Sequence, residues 1–221
     1  MRPWKPPAAR ATGALLVLCI LTQVIVWLMG PGAGQALAFS AGLVPARLSG
    51  HVVAPDALSP WATLLSHMFI HGGFAHLFMN MVFLAWVGRH CEWLIGPLRL
   101  LFLFLLGGVV GGLVQVISSP TSLVPVVGAS GGVSAVFGTY ALLYARVGER
   151  PATILGVRLS GELVRALRYA ALFVGLQLLV AVAFNTPGGP GIAIWAHIGG
   201  FLAGLLFGLP WVWSRDARDF R

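Results

Sequence analysis

The stretch LRLLFLFLLGGVVGGLVQVI, residues 98–117, contains one charged residue, Arg99, in twenty positions. A transmembrane helix needs about 20 apolar residues to cross the hydrocarbon core, so this stretch has the composition and length of one span. Over all 221 residues, 58% are hydrophobic and 9% are charged, whereas about a quarter of the residues are charged in a soluble domain. So few charges do not cover a water-soluble domain of this size, and the sequence predicts an integral membrane protein.

Five more apolar segments lie on either side of this stretch. The predicted spans cover residues 11–29, 61–87, 98–117, 128–145, 166–184 and 192–213. Residues 30–60 are too polar to span the bilayer and too apolar for a free linker, and we expect them to lie partly in the membrane interface. The sequence therefore predicts an all-α, six-span membrane domain over residues 11–213, with short cytoplasmic tails at 1–10 and 214–221.

The positive charges predict the orientation of these spans. With both termini inside, thirteen of the fourteen Lys and Arg residues lie in the inner segments, and only Arg47 lies outside. This distribution follows the positive-inside rule for an even number of spans. The net charge of +8 is thereby explained by topology, without a nucleic-acid partner. Short loops and no recognisable targeting extension favour the inner (plasma) membrane of a bacterium.

Carboxylates are absent from the centres of the predicted spans. All six acidic residues fall in loops or near span ends: Asp56, Glu92, Glu149, Glu162, Asp216 and Asp219. An intramembrane aspartyl protease needs two carboxylates at membrane depth, and a His-Glu-x-x-His zinc protease needs its glutamate. Proton-relay carriers also place a carboxylate within the bundle. These classes are therefore disfavoured.

A serine and a histidine remain at similar depth. Ser130 lies in a G-x-S-x-G pattern at the start of the fourth predicted span, and His197 lies near the start of the sixth. No strand precedes this serine, so the soluble nucleophile-elbow context is missing, and helix packing is the alternative role for it. Serine becomes a nucleophile only when a base takes its proton. We expect His197 to be that base.

Small residues on both spans favour this contact. The positions that share a helical face are His197, Gly200, Gly204 and Gly208 on the sixth span, and Ser130, Ser134 and Gly138 on the fourth. Small-residue faces allow helix backbones to approach closely in membranes. A short serine side chain needs such an approach to reach a histidine on another helix.

The second predicted span carries polar side chains of a different kind. His76 and Asn80 are four residues apart and face the same side of a helix. Together with the backbone N–H of Ser130 they provide donors for an oxyanion. His67 and His71 have the same spacing and are alternatives for a zinc or haem site, but no third ligand is evident. We expect them to brace the outer end of this span, and we expect His51 and His90 to be loop residues.

The ordered motifs resemble the rhomboid family of intramembrane serine proteases. They are His67-x-x-x-His71, His71-x-x-x-x-His76-x-x-x-Asn80, Gly128-Ala129-Ser130-Gly131 and Ala196-His197-x-x-Gly200-x-x-x-Gly204. The resemblance implies that Ser130 is the nucleophile, His197 the base, and His76 and Asn80 the oxyanion residues. It also likens residues 30–60 to the family's membrane-embedded first loop and the fifth span to its substrate gate. Many relatives carry an aromatic residue where this chain has Ser134, so we expect Phe137 or Trp195 to hold the His197 ring.

The sequence thus predicts a serine endopeptidase that cleaves transmembrane segments of membrane proteins near the outer boundary of the lipid bilayer. The catalytic pair acts without a third acid, and no cofactor or metal is implied. One alternative is a non-proteolytic, rhomboid-like protein that binds membrane proteins. Another is a small transporter or haem-binding membrane protein.

Overall fold

The computed structural model describes residues 9–144, 151–154, 156–161, 164–165, 167–169, 171–173, 175 and 193–214, and these are mostly helical. The helices with defined bounds among the described residues are α1 (Arg10–Leu28), α2 (Ala33–Ala41), α3 (Pro45–Leu48), α4 (Thr63–Ser66), α5 (Phe74–Ile95), α6 (Pro97–Ser118), α7 (Ser130–Tyr144) and α8 (Ile194–Ser214). A 3₁₀ turn, His67–Phe69, follows α4. The strands β1 (Ala152–Ile154) and β2 (Val157–Leu159) form an antiparallel hairpin.

Two helices of the described residues, α1 and α6, are long and apolar enough to cross a membrane. A third candidate arises if the pair formed by residues 63–69 and α5 counts as one span. Helices α7 and α8 lie where the fourth and sixth spans were predicted. The fifth predicted span, residues 166–184, falls largely outside the described residues. The count of six spans therefore stays a prediction.

The second predicted span is wrong as a single helix. Residues 63–69 and α5 meet at an angle of 94°, with residues 70–73 between them. Gly73 precedes α5 with a φ of 144°, a conformation that side chains with a Cβ rarely adopt. Gly73 therefore permits a break that the apolar composition conceals.

The residues between the second and third predicted spans, 88–97, are helical except for Gly96 and do not form the expected loop. Helix α5 continues to Ile95, and α6 begins at Pro97, so a single glycine joins the two helices. Gly96 has a φ of 84°. Pro97 can begin α6 because the first residue of a helix has no intrahelical acceptor for its N–H, so the missing N–H of proline costs no hydrogen bond. His90, expected in a loop, and Cys91 consequently lie on α5, with the thiol buried.

Helices α6, α7 and α8 pack together at the centre through small residues. A Cβ on Gly204 of α8 would overlap the carbonyl of Ala135 on α7, and a Cβ on Gly200 would overlap that of Gly131. The hydroxyl of Thr139 donates to the carbonyl of Gly204 at 2.7 Å. The glycine face predicted for the sixth span is therefore the face that contacts α7.

The segment between α1 and α4 contains two short helices, α2 and α3, and is tied to the residues that precede α7. Leu43 and Val126 exchange backbone hydrogen bonds of 3.0 and 2.8 Å, and the N–H of Ala46 donates to Ser122 at 3.0 Å. Arg47 is buried and donates to the carbonyls of Phe39 and Leu58. The first loop thus supports the chain that leads into Ser130.

Candidate active site

Ser130 and His197 are joined by a hydrogen bond across two helices. The distance between Ser130 Oγ and His197 Nε2 is 2.7 Å. Ser130 is the first residue of α7, and His197 lies in the first turn of α8, where it is buried. The close approach of Gly200 to Gly131, described above, brings these two helix starts together. The structure therefore unites the two side chains that the sequence placed at matching depth.

Gly128 shapes the approach to the serine. Its φ is 123°, in the region that favours glycine. A Cβ at this position would lie 2.7 Å from Cε1 and 2.8 Å from Nε2 of His76, and 3.6 Å from Ser130 Oγ. Gly128 consequently leaves the space in which the imidazole of His76 and the hydroxyl of Ser130 come near each other.

The segment that enters α7 is held by His67 and His71. The carbonyl of His67 accepts the N–H of Gly128 at 2.9 Å, and Nε2 of His71 accepts the N–H of Ala129 at 3.5 Å. The N–H of Ser130 follows, at a helix N-terminus, where the first amides have no acceptor within their own helix. The amides of Gly128 and Ala129 thus donate to His67 and His71. The amide of Ser130 comes next, at the N-terminus of α7.

His67 and His71 do not share a helical face as predicted, because the break at 70–73 separates them. His67 belongs to the 3₁₀ turn and donates from Nδ1 to the carbonyl of Thr63 at 2.8 Å, while His71 lies in the connection before α5. Both rings are buried. Within the described part of the chain, no three His, Cys, Asp or Glu side chains are grouped to hold a metal ion.

His76 is orientated by the backbone of the break. The N–H of Gly72 donates to Nδ1 of His76 at 3.4 Å. Because a neutral imidazole carries one proton, a ring that accepts at Nδ1 holds its proton on Nε2, the nitrogen that borders Gly128. The ring of His71 packs against it, with the centroids 5.3 Å apart. This tautomer makes His76 a hydrogen-bond donor beside Ser130.

Asn80 lies one turn further along α5 and is buried. Its Nδ2 donates to the carbonyl of His76 at 2.9 Å, four residues back on the same helix. An amide nitrogen carries two hydrogens, so this bond leaves one of them for another acceptor. His76 and Asn80 therefore lie on the same helix, as predicted. The amide nitrogen of Asn80, however, is hydrogen-bonded within that helix.

The sequence reasoning missed two glutamines. Gln115 of α6 accepts the N–H of Ala196, the residue before His197, at 3.3 Å. Gln23 of α1 is buried beside the break, where its amide contacts the carbonyl of His71. A polar amide within an apolar segment was the available signal, since such a group needs a partner at membrane depth.

Phe137 and Trp195 were the residues expected to hold the ring of His197. Phe137 belongs to an aromatic cluster that joins α5, α7, α8 and the stretch around residues 169–173, and that includes Phe83, Tyr140, Tyr169, Phe173 and Phe201. Trp195 is 49% exposed. Ser134, one turn after Ser130, is buried within the bundle. The aromatic cluster thus accounts for the burial of Phe137, and the group that holds the ring of His197 stays a prediction.

Comparison with known proteins places this fold and site in a family. The rhomboid domain model matches residues 59–214. RHOMBOID-like protein 4 of Arabidopsis thaliana is 34% identical over 148 residues, 66% of this chain and 32% of that protein. Rhomboid protease GluP of Bacillus subtilis (strain 168) is 29% identical over 161 residues, 70% of this chain and 27% of the relative.

A third relative, Rhomboid-like protease 5 of Toxoplasma gondii, is 30% identical over 161 residues, which are 70% of this chain and 16% of that protein. The chain therefore spans a third or less of the length of these three relatives. The matched region contains α4 to α8 and the four predicted site residues Ser130, His197, His76 and Asn80, whereas Gln23 lies before it. The candidate spans agree with this assignment, and the chain is a membrane protein that belongs to the rhomboid family.

Proposed function

We propose that this protein is an intramembrane serine endopeptidase in which Ser130 is the nucleophile and His197 the general base. The observation that carries the proposal is the 2.7 Å hydrogen bond between Ser130 Oγ and His197 Nε2. Two of the relatives, Rhomboid-like protease 5 and Rhomboid protease GluP, are named as proteases, which supports a proteolytic role. A base in this position typically contributes about 10²–10⁴ in rate.

In the proposed reaction, Nε2 of His197 takes the proton of Ser130 as Oγ attacks the scissile carbonyl carbon. The resulting oxyanion accepts from the N–H of Ser130 and from Nε2–H of His76, with the second amide hydrogen of Asn80 as a further donor. The C–N bond then breaks as His197 gives its proton to the leaving amine. Water hydrolyses the acyl-enzyme through the same base, which regenerates the serine hydroxyl.

The proposed mechanism assigns no carboxylate to the catalytic pair. Among the described residues, the acids are Asp56, which is exposed in the first loop, and Glu92, which binds the start of α1. Neither residue contacts His197 in the hydrogen bonds of the described region. A dyad of serine and histidine, aided by oxyanion donors, is therefore the arrangement that these residues support.

The substrates we propose are transmembrane segments of membrane proteins, cut near the outer membrane boundary. A hydrogen-bonded helix shields its carbonyl carbons, so a substrate must unwind locally to reach Ser130. Residues that destabilise a helix near the cut should therefore promote cleavage, and small side chains fit best beside a nucleophile set among glycines. The distribution of Lys and Arg supports an orientation with both termini in the cytoplasm.

The test compares Ser130→Ala with Ser134→Ala, which removes a second buried serine one turn along the same helix. Detergent-purified proteins are incubated with a transmembrane reporter and, separately, with a serine-directed fluorophosphonate. We expect the unmodified protein and Ser134→Ala to cleave the reporter and to be labelled at Ser130. We expect Ser130→Ala to do neither.

Cleavage that persists in Ser130→Ala would refute the nucleophile assignment. A folded, unmodified protein that neither cleaves nor reacts with the fluorophosphonate would instead support a non-proteolytic, membrane-protein-binding role. An absorbance spectrum and metal analysis of the same preparation test the haem and metal alternatives.

A further inference from the structure

Gln23 lies on α1, a helix that contributes none of the four site residues assigned above, yet its side chain is 3% exposed. With the amide in the orientation that gives both its atoms a partner, Nε2 donates to the carbonyl of His71 at 3.0 Å. Oε1 accepts from Nε1–H of Trp27, four residues later on α1, at 3.1 Å. The amide of Gln23 is thus fixed at both ends, and it points at the break between the 3₁₀ turn and α5.

The carbonyl of His71 and the N–H of Gly72 belong to one peptide group, which is planar. Gln23 binds the oxygen of this group, and its N–H donates to Nδ1 of His76. The hydrogen bonds therefore run from Trp27 through Gln23 and the His71–Gly72 peptide to the imidazole of His76. Hydrogen bonds in such a chain polarise one another in a low-dielectric interior.

The orientation of this peptide group depends on a hydrogen-bond partner, because the neighbouring residues restrict the backbone little. Gly72 and Gly73 follow it, and the backbone of glycine is the least restricted. The bond from Gly72 to His76 is long, at 3.4 Å, so a rotation of the peptide would break it. His76 would then lose the contact that selects its Nε2–H tautomer.

We propose that Gln23 is a positioning residue that, through the His71–Gly72 peptide, holds His76 with its Nε2–H directed at the oxyanion. The inference rests on the proposed function for its catalytic meaning. Its hydrogen-bond part concerns the resting protein and is measurable without activity. Gln23 itself touches neither Ser130 nor His197 in the hydrogen bonds described above, so it acts through His76.

The direct test is the tautomer of His76, read from ¹⁵N chemical shifts of the imidazole in ¹⁵N-histidine-labelled Ser130→Ala protein. Signals of His76 are identified by their loss in a His76→Ala variant. We expect the proton on Nε2 in the parent. Gln23→Met keeps the length and apolar burial of the side chain but removes its donor, and we expect a mixture of both tautomers in that variant.

The kinetic test uses the same substitution with Ser130 intact. We expect Gln23→Met to lower kcat by about 10-fold, less than the ~10²–10³ typical for complete loss of an oxyanion donor, with KM unchanged. Trp27→Phe, which leaves the bond from Gln23 to His71 in place, should have a smaller effect. Thr22→Val is the matched control, since among the described residues its hydroxyl on the same helix donates to the carbonyl of Leu18 alone, and we expect no change.

A Ser130→Ala protein with the proton of His76 on Nδ1 would overturn the proposal. So would a Gln23→Met substitution that changes neither the tautomer of His76 in Ser130→Ala protein nor kcat in protein with Ser130 intact. If Gln23→Met does not fold, the proposal is decided by the tautomer of His76 in the Ser130→Ala protein and by kcat of the Trp27→Phe protein. If the unmodified protein neither cleaves the reporter nor reacts with the fluorophosphonate, the proposed function fails. The tautomer measurement still decides in that case whether Gln23 orientates His76.

Discussion

In the proposed mechanism, removal of the His76 side chain should separate activation of the nucleophile from stabilisation of the oxyanion. Its ring borders Gly128 and Ser130, while the hydrogen bond from Ser130 to His197 does not involve it. We expect His76→Ala to lower kcat by about 10²–10³, the usual effect of losing one oxyanion donor. His51→Ala, in an exposed part of the first loop, is the control and should leave kcat unchanged. A His76→Ala protein with parental kcat would remove His76 from the mechanism.

Gly128 permits a second test at the level of one residue. An added methyl group meets both the backbone strain of a φ of 123° and the ring of His76 at 2.7 Å. Gly156, in the β1–β2 turn, has a φ of 79° with nothing within 4 Å of an added Cβ, so Gly156→Ala carries the strain alone. We expect each variant to lose about 1–3 kcal/mol in the free energy of unfolding, as for other strained residues. Only Gly128→Ala should also lose cleavage activity, which a reporter assay on the folded fractions measures.

At the scale of helices, the contact between α7 and α8 sets the distance from Ser130 to His197. A Cβ on Gly204 would overlap the backbone of Ala135, which has no flexible atom to yield, whereas a Cβ on Gly208 would meet Cδ2 of Leu142 at 3.0 Å. We expect Gly204→Ala to destabilise the protein by about 1–3 kcal/mol, as overpacking does, and to lower kcat by separating the two helix starts. Gly208→Ala should change both quantities less. Thermal unfolding in detergent and reporter kinetics measure the two effects, and equal behaviour of the variants would contradict this account.

Helices whose composition is uniform were predictable from the sequence, and those interrupted by glycine or extended by polar residues were not. Residues 98–117 became α6 almost without change, because an apolar run of that length has few alternatives. The break at 70–73 depends on the backbone conformation of Gly73, which hydropathy does not register. The end of α5 was missed because charged residues at 88–95 are typical of a loop. There Glu92 is buried instead, against the start of α1.

The same distinction applies to the site. Ser130, His197 and the glycines of α8 are recognisable because they repeat at helical spacing on two segments. Gln23 and Gln115 carry no such pattern, since a single amide in an apolar run shows only that it needs a partner. The partners are backbone groups, the carbonyl of His71 and the N–H of Ala196. Every residue has such groups, so the sequence gives no means of pairing them.

At the scale of the whole molecule, one carboxylate joins the first helix to the bundle. Glu92, near the end of α5, accepts from the N–H of Ala11 at 2.9 Å and of Thr12 at 2.8 Å, and from the hydroxyl of Thr12 at 2.7 Å. Helix α1 has no side-chain cap of its own and no acidic residue in its first turn. A carboxylate at a helix N-terminus satisfies free amides and interacts favourably with the helix dipole. Glu92 therefore supplies from α5 the cap that α1 lacks.

This cap lies far from the chemistry, so its loss should separate stability from activity. Sixteen residues separate His76 from Glu92 on α5, which is about 24 Å along a helix. We expect Glu92→Ala to reduce the free energy of unfolding by about 3 kcal/mol, because it leaves buried donors without a charged acceptor. Glu92→Gln retains one acceptor oxygen and should lose less. Unfolding in mixed detergent micelles measures these differences, and kcat of the folded variants should match the parent. A loss of kcat without a loss of stability would contradict this account. It would mean that the start of α1 affects the site through α1, the helix that carries Gln23.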